Sequence, residues 1–238
     1  MLMSQNHTSK PLLSPLSDNL WTANGSLRFP GVEFGCRMTV IRLSTGGLVL
    51  HSPVHLSDAL RDEINKLGEV KFLVAPNRFH HLHIKDYAAL YPEAEVWGAP
   101  GLPEKRRDIK FDRVLEDGSP ISPEGEIRYF LFLGLPALNE VVFYHPDSKT
   151  LILTDLLFNY SGDLPWGLKL VTKTVGVYGA PNVSRLIRYF ILKDRRQARE
   201  SARRVMALDF DRLILSHGDI VETGAKEVVS KAFQCFGY

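Results

Sequence analysis

Three of the chain's eight histidines fall between positions 80 and 83, in Val74-Ala75-Pro76-Asn77-Arg78-Phe79-His80-His81-Leu82-His83. Imidazoles titrate near neutrality and bind borderline metal ions, so such a cluster suits metal ligation or proton transfer. The apolar run over residues 70–74 reads as a buried strand ended by a proline. The histidines therefore leave a strand end, where an α/β fold is rigid and its loops carry polar side chains. The same form recurs twice. Leu151-Ile152-Leu153-Thr154-Asp155 and Leu213-Ile214-Leu215-Ser216-His217 are each an apolar strand pattern running into a potential metal ligand.

The elements that must position these groups follow from periodicity. Residues 38–43 and 47–51 flank the turn-forming Ser44-Thr45-Gly46 and predict a hairpin. In residues 57–67, Leu60, Ile64 and Leu67 share a helical face and Ser57 can cap the start. With the strand over 70–74 this makes a strand–helix–strand unit with parallel strands, so His51 and His80 share a cleft edge. Further helices are expected over 84–91, 183–208 and 225–233, and strands over 95–98, 127–133, 140–144, 151–153 and 213–215. His145-Pro146-Asp147-Ser148-Lys149 is a plausible hairpin turn, and Gly218 frees the backbone after His217. Residues 166–180 fit no element; their glycines and aromatics would suit a mobile cover as well as a wandering loop. Two sheets with helices outside fit this order best.

Composition narrows the function classes. The 238 residues are 45% hydrophobic and 24% charged, ordinary globular values. A formal charge of +2 gives no case for nucleic acid. The basic stretch over residues 193–204 contains Asp194 and Glu200 and reads as a solvated helix face. Cys36 and Cys235 match no paired-thiolate pattern and predict free thiols. Residues 1–18 are polar, lack the core of a signal peptide and read as a flexible leader, leaving residues 19–238 as one domain. No window approaches the ~20 apolar residues of a membrane span. The expectation is a cytoplasmic protein without membrane partners, its oligomeric state open.

Taken together, the hairpin opening, the histidine-bearing loop before a helix, Thr154-Asp155-Leu156-Leu157-Phe158 and Ser216-His217-Gly218-Asp219 resemble the metallo-β-lactamase fold over residues 38–233. Within that superfamily Ala75-Pro76-Asn77-Arg78-Phe79-His80-His81, Trp97-Gly98-Ala99-Pro100-Gly101-Leu102 and Glu140-Val141-Val142-Phe143 are similar to a branch catalogued as a domain of unknown function. The resemblance implies an αββα sandwich of two mixed sheets with helices on the outer faces. It also implies a metal-binding loop of the form His-x-His-x-Asp-His. Pro76 and Arg78 then stand where its first two histidines belong, His80 where its aspartate belongs and His81 at its last histidine. No histidine occurs near Leu135-Pro136-Ala137 for the next ligand, whereas Asp155 matches the bridging carboxylate and His217 the final histidine. The ligands of one metal are thus lost and those of the other kept, with His80 in place of aspartate.

On that resemblance His80, His81, Asp155 and His217 would hold one divalent metal, Zn²⁺ best and Fe²⁺ or Mn²⁺ also. Four ligands would make a closed structural site; a looser or larger shell would admit water. Arg78 could neutralise an oxyanion, His51 and His83 could move protons, and Glu140 could hydrogen-bond a ligand histidine from behind. Lys105, Arg106 and Arg107 could receive an anionic small molecule. Each of these also reads as an ordinary surface or helix-start residue. Three functions stay open: a mononuclear metal-dependent hydrolase, an inactive relative that binds a ligand or partner, and an iron redox protein.

Overall fold

The computed structural model describes residues 12–29, 32–118, 120–122 and 125–238. A seven-stranded sheet runs in chain order through β1 (Leu13–Ser17), β2 (Leu20–Phe29), β3 (Val32–Arg42), β4 (Leu48–His51), β5 (Val70–Ala75), β6 (Glu95–Gly98) and β7 (Arg113–Val114). It is antiparallel as far as β4 and parallel from β4 to β7. The change falls where tight turns give way to crossover helices, since parallel neighbours need a long connection. Those connections are α1 (Asp58–Leu67), α2 (Ile84–Leu90) and the short α3 (Leu102–Lys105).

The second sheet has the order β11-β10-β9-β8, built from β8 (Arg128–Leu131), β9 (Val141–His145), β10 (Thr150–Leu153) and β11 (Arg212–Leu215). Only β10 and β11 are parallel. Strand residues alternate between faces. Val141, Phe143, Ile152 and Ile214 join the core of the first sheet, which also takes in Ile64 of α1 and Tyr87 of α2. Their neighbours Val142, Tyr144, Leu151, Leu153, Leu213 and Leu215 pack instead with Ala202 of α5 (Arg195–Met206) and Phe233 of α6 (Ala225–Phe233). Both faces of the second sheet are therefore covered, which is why its strands are continuous apolar runs. The result is helix, sheet, sheet, helix, as expected. Each fully buried Leu, Ile or Phe contributes roughly 1.5–3 kcal/mol, so the strand ends are held by a firm double core.

The expected hairpin forms, with Thr39 opposite His51. Ser57 caps α1, its Oγ accepting from the Leu60 amide at 3.2 Å. Three expectations differ. The leader over 1–18 lies outside the described residues as far as residue 11, but Leu13–Ser17 is an edge strand whose Leu13 amide donates to Glu63 at 2.8 Å. The helical region over 183–208 breaks in two: a π-helical turn at Ile187–Ile191, then α5. The break is enforced by Lys193 and Asp194, whose amides donate to Gly134 O while the Asp194 carboxylate caps the Gln197 amide at 2.9 Å. The unplaced 166–180 segment opens with a ten-residue helix, α4 (Trp166–Val175), ended by Gly176 in the left-handed region at φ 78°.

Candidate metal centre

Parallel pairing of β10 and β11 sets Leu153 opposite Leu215. Asp155 and His217 each lie two residues past that pair, so they emerge side by side. His80 arrives from the other sheet, on the loop after β5, where Pro76 ends the ladder and Asn77 forms a tight turn. The Asn77 Oδ1 accepts from the amides of Phe79 and His80, both at 2.8 Å. The three side chains converge: His80 Nε2 is 3.3 Å from Asp155 Oδ2, His217 Nε2 is 3.2 Å from Asp155 Oδ1, and the two Nε2 atoms are 3.1 Å apart.

Each candidate ligand is oriented from behind. His217 Nδ1–H donates to Gly35 O at 2.6 Å, which leaves a lone pair on its Nε2, and its ring stacks on Phe158. His80 Nδ1 meets Ser52 Oγ at 2.7 Å. Ser52 holds a left-handed backbone at φ 57°, a strain of roughly 1–3 kcal/mol for a non-glycine residue. Asn77 Nδ2 donates to Asp155 Oδ2 at 2.7 Å and to the buried Glu140 at 2.8 Å. Glu140 also accepts from the Thr154 amide and hydroxyl, each at 2.6 Å. Burial opposes charge on His80, but the Asp155 carboxylate outweighs it and raises the imidazole pKa above its ordinary value. Burial would raise the Asp155 pKa, yet His80 and His217 reverse this and hold it far below the usual carboxylate range. Glu140 is pushed up, first by burial and then by Asp155.

Two imidazole Nε2 atoms and a carboxylate crowded to this degree need a cation or a shared proton between them. Donors ~2.0–2.1 Å from a tetrahedral ion lie about 3.3 Å from one another. The separations of 3.1–3.3 Å match that spacing, so the residues present fit a single metal ion.

The family described as Domain of unknown function (DUF4336) matches the chain over residues 17–179, more than half of its length. The chain belongs to the DUF4336 family. Among solved structures, the DUF4336 chain is similar to a metallo-beta-lactamase from Pontibacter korlensis, with 13% identity, 94% of this chain and 98% of that one covered, and a TM-score of 0.64. A metallo beta lactamase from Hirschia baltica gives 14% identity, coverage of 95% and 98%, and a TM-score of 0.65. The Flv1 flavodiiron core from Synechocystis sp. PCC6803 gives 11% identity and a TM-score of 0.69, covering 94% of this chain and 60% of that one. No curated protein matches. The likeness shows the fold: the DUF4336 chain has the metallo-β-lactamase fold.

Among the expected site residues, the DUF4336 chain brings together His80, Asp155 and His217 and sends others away. His81 is not in the group. Its Nδ1 lies 2.8 Å from the Arg106 guanidinium, and burial together with Lys105 and Arg106 lowers its pKa to about 4. The Asn77 turn aims one of two adjacent imidazoles inward, so the other must point outward. Arg78 is likewise displaced: its guanidinium lies over Gly101 rather than along the cleft. His51 is buried against Phe143, 4.7 Å between rings, and burial lowers its pKa to about 3, which ill suits a proton shuttle at neutral pH. Glu140 touches no ligand histidine; it braces Thr154, Asn77 and the Asp155 amide. Lys105 donates to Arg78 O, and Arg106 pairs with Asp108 as well as meeting His81, so both tie their loop to the one that carries His80, while Arg107 is exposed.

His83 does line the cleft, and burial with the nearby His55 lowers its pKa. Sequence reasoning missed Ser52, Asn77 and Thr154. Asn77 carried a signal, an asparagine directly after a strand-ending proline; Ser52 and Thr154 carried none.

Proposed function

We propose that the chain is a mononuclear metal-dependent hydrolase of ester-like substrates whose acyl portion is apolar. The observation that carries this reading is the convergence of two imidazole Nε2 atoms and a carboxylate on a cleft of about 370 Å³. Three protein donors, rather than the four expected, leave room in the coordination shell for water or substrate. His80, Asp155 and His217 would hold the ion, Zn²⁺ matching the donors best. When bound, such an ion acidifies a coordinated water toward neutrality and polarises a carbonyl oxygen.

The chain's own residues supply the rest. Ser52 and Gly35 O fix the two rings, while Asn77 and the Glu140 brace hold Asp155 in register. Phe34, Val54, Leu138, Phe158 and Ile187 exclude water from the cleft and favour an uncharged acyl group. An anionic substrate is less well served, since none of Lys105, Arg106 and Arg107 lines the cleft. His83 lines the cleft with its pKa lowered by burial and by His55, and a ring nitrogen there would accept the proton.

The same two imidazoles and one carboxylate also suit Fe²⁺, which keeps a redox reading as the second choice. Elemental analysis of purified protein, followed by a screen of esters and thioesters of increasing acyl length, tests the proposal. About one zinc equivalent with turnover rising with acyl length is expected. A protein that takes up no metal under replete conditions, or turns over no acyl substrate when loaded, overturns it; iron as the dominant metal favours the redox reading.

A further inference from the structure

We propose that the mouth of the cleft is an interfacial surface that docks on an anionic lipid bilayer. Two adjacent segments build it: α4 and the π-helical turn with its flanks, residues 185–193. Trp166 is 82% exposed, Leu170 59%, Tyr189 74% and Phe190 69%. Large apolar side chains gathered in a patch, as opposed to scattered singly, mark protein or membrane interaction sites. Over residues 164–193 the chain has five cations, Lys169, Lys173, Arg185, Arg188 and Lys193, and no Asp or Glu. The whole chain carries only +2, so the remaining residues, which include the flanking Asp163 and Asp194, sum to a net charge of about −3 (+2 less +5). Positive charge and exposed aromatics are thus concentrated together, the composition that lies in a headgroup layer.

The two segments are joined at the C-terminal end of α4. Arg185 Nη1 donates to Thr174 O at 2.9 Å, across the end of α4, and Asn182 Nδ2 donates to Gly176 O at 3.2 Å. Lys169 and Lys173 both sit over the Tyr178 ring, with Lys169 also 3.6 Å from the exposed Asp163 just outside the stretch. The surface also adjoins the cleft. Leu168 of α4 packs with Phe34 and Phe158, and Leu186 is at once 55% exposed and part of the cleft wall.

No helix among the described residues is long and apolar enough to cross a membrane. The surface would rest on a bilayer rather than span it, which departs from the expectation of no membrane partner. One consequence rests on the hydrolase reading: an acyl chain could pass from the bilayer to the metal centre without crossing water.

The test is cosedimentation of the full chain, with and without metal, using phosphatidylcholine vesicles alone or with ~30 mol% phosphatidylserine. Binding to the anionic vesicles only, weakening with salt, is expected. Lys169→Ala with Lys173→Ala should weaken it roughly fivefold per cation removed. Trp166→Ala, Leu170→Ala, Tyr189→Ala and Phe190→Ala combined should lower it at least about tenfold, with circular dichroism and metal content unchanged, since all four side chains are exposed. Binding retained by both variants overturns the proposal. So does failure of the parent to bind, including the case where the aromatic variant converts a dimer to a monomer, which would make this face a contact between two copies. Metal-free protein should still bind, so loss of hydrolase activity and loss of docking are read separately.

Discussion

Asn77 uses both ends of its carboxamide: the oxygen tightens the turn that presents His80, and the nitrogen holds Asp155 and Glu140. Replacing it with alanine leaves buried acceptors unpaired, at roughly 1–3 kcal/mol, and frees both ligands. Asn77→Ala should lose about 10–100-fold in metal affinity, measured by competition with a chromophoric chelator. Asp155→Ala should abolish binding, whereas His81→Ala should leave the stoichiometry unchanged because that ring lies against Arg106. A loss of metal in His81→Ala would show that the loop rearranges. His83→Ala should keep the metal and lower kcat by about 10²–10⁴. His51 sets a pH dependence. Its folded pKa of about 3 lies below the ordinary 6.5, so between these values the unfolded chain binds more protons. Stability therefore falls as pH drops through that window, at up to about 1.4 kcal/mol per pH unit. Urea midpoints of the metal-free protein should show this slope, and His51→Leu should flatten it.

At the scale of elements, the centre depends on how strand ends meet. Gly218 follows His217 at φ 89°, and a Cβ there would lie 1.7 Å from Asn159 O. That backbone approach holds the β11 loop against the chain leaving β10. Gly218→Ala should cost more than the ~1–2 kcal/mol of a left-handed backbone alone, and should weaken metal binding by displacing His217. Glu140, at the start of β9, bridges to the β10 exit through the Thr154 amide and hydroxyl. Its removal strands several buried donors at once. Glu140→Ala should destabilise by at least ~3 kcal/mol in equilibrium unfolding, with the metal centre lost as a consequence.

At the scale of the molecule, two sheets each deliver part of the centre, His80 from one and Asp155 with His217 from the other. A bound ion would tie them together, so stripping it with a chelator should cost about 2.7 kcal/mol relative to metal at 100 Kd, lowering Tm by roughly 5–10 °C for a chain of this size. An unchanged Tm would mean that no ion links the sheets. The apolar runs and the ligands that follow them were legible in the sequence, because strand periodicity and strand-ending residues are local properties. So were Ser57 as a helix cap and the pairing of β3 with β4. Which of His80 and His81 turns inward was not legible, because an asparagine amide reaching across to Asp155 and Glu140 decides it. Nor was the burial of His51 beneath Phe143, or the hydrogen bonding of Asn182 and Arg185 to the end of α4. Local pattern determined the strands and their candidate donors; long-range hydrogen bonds and packing, which no neighbouring residues encode, decided which three donors meet.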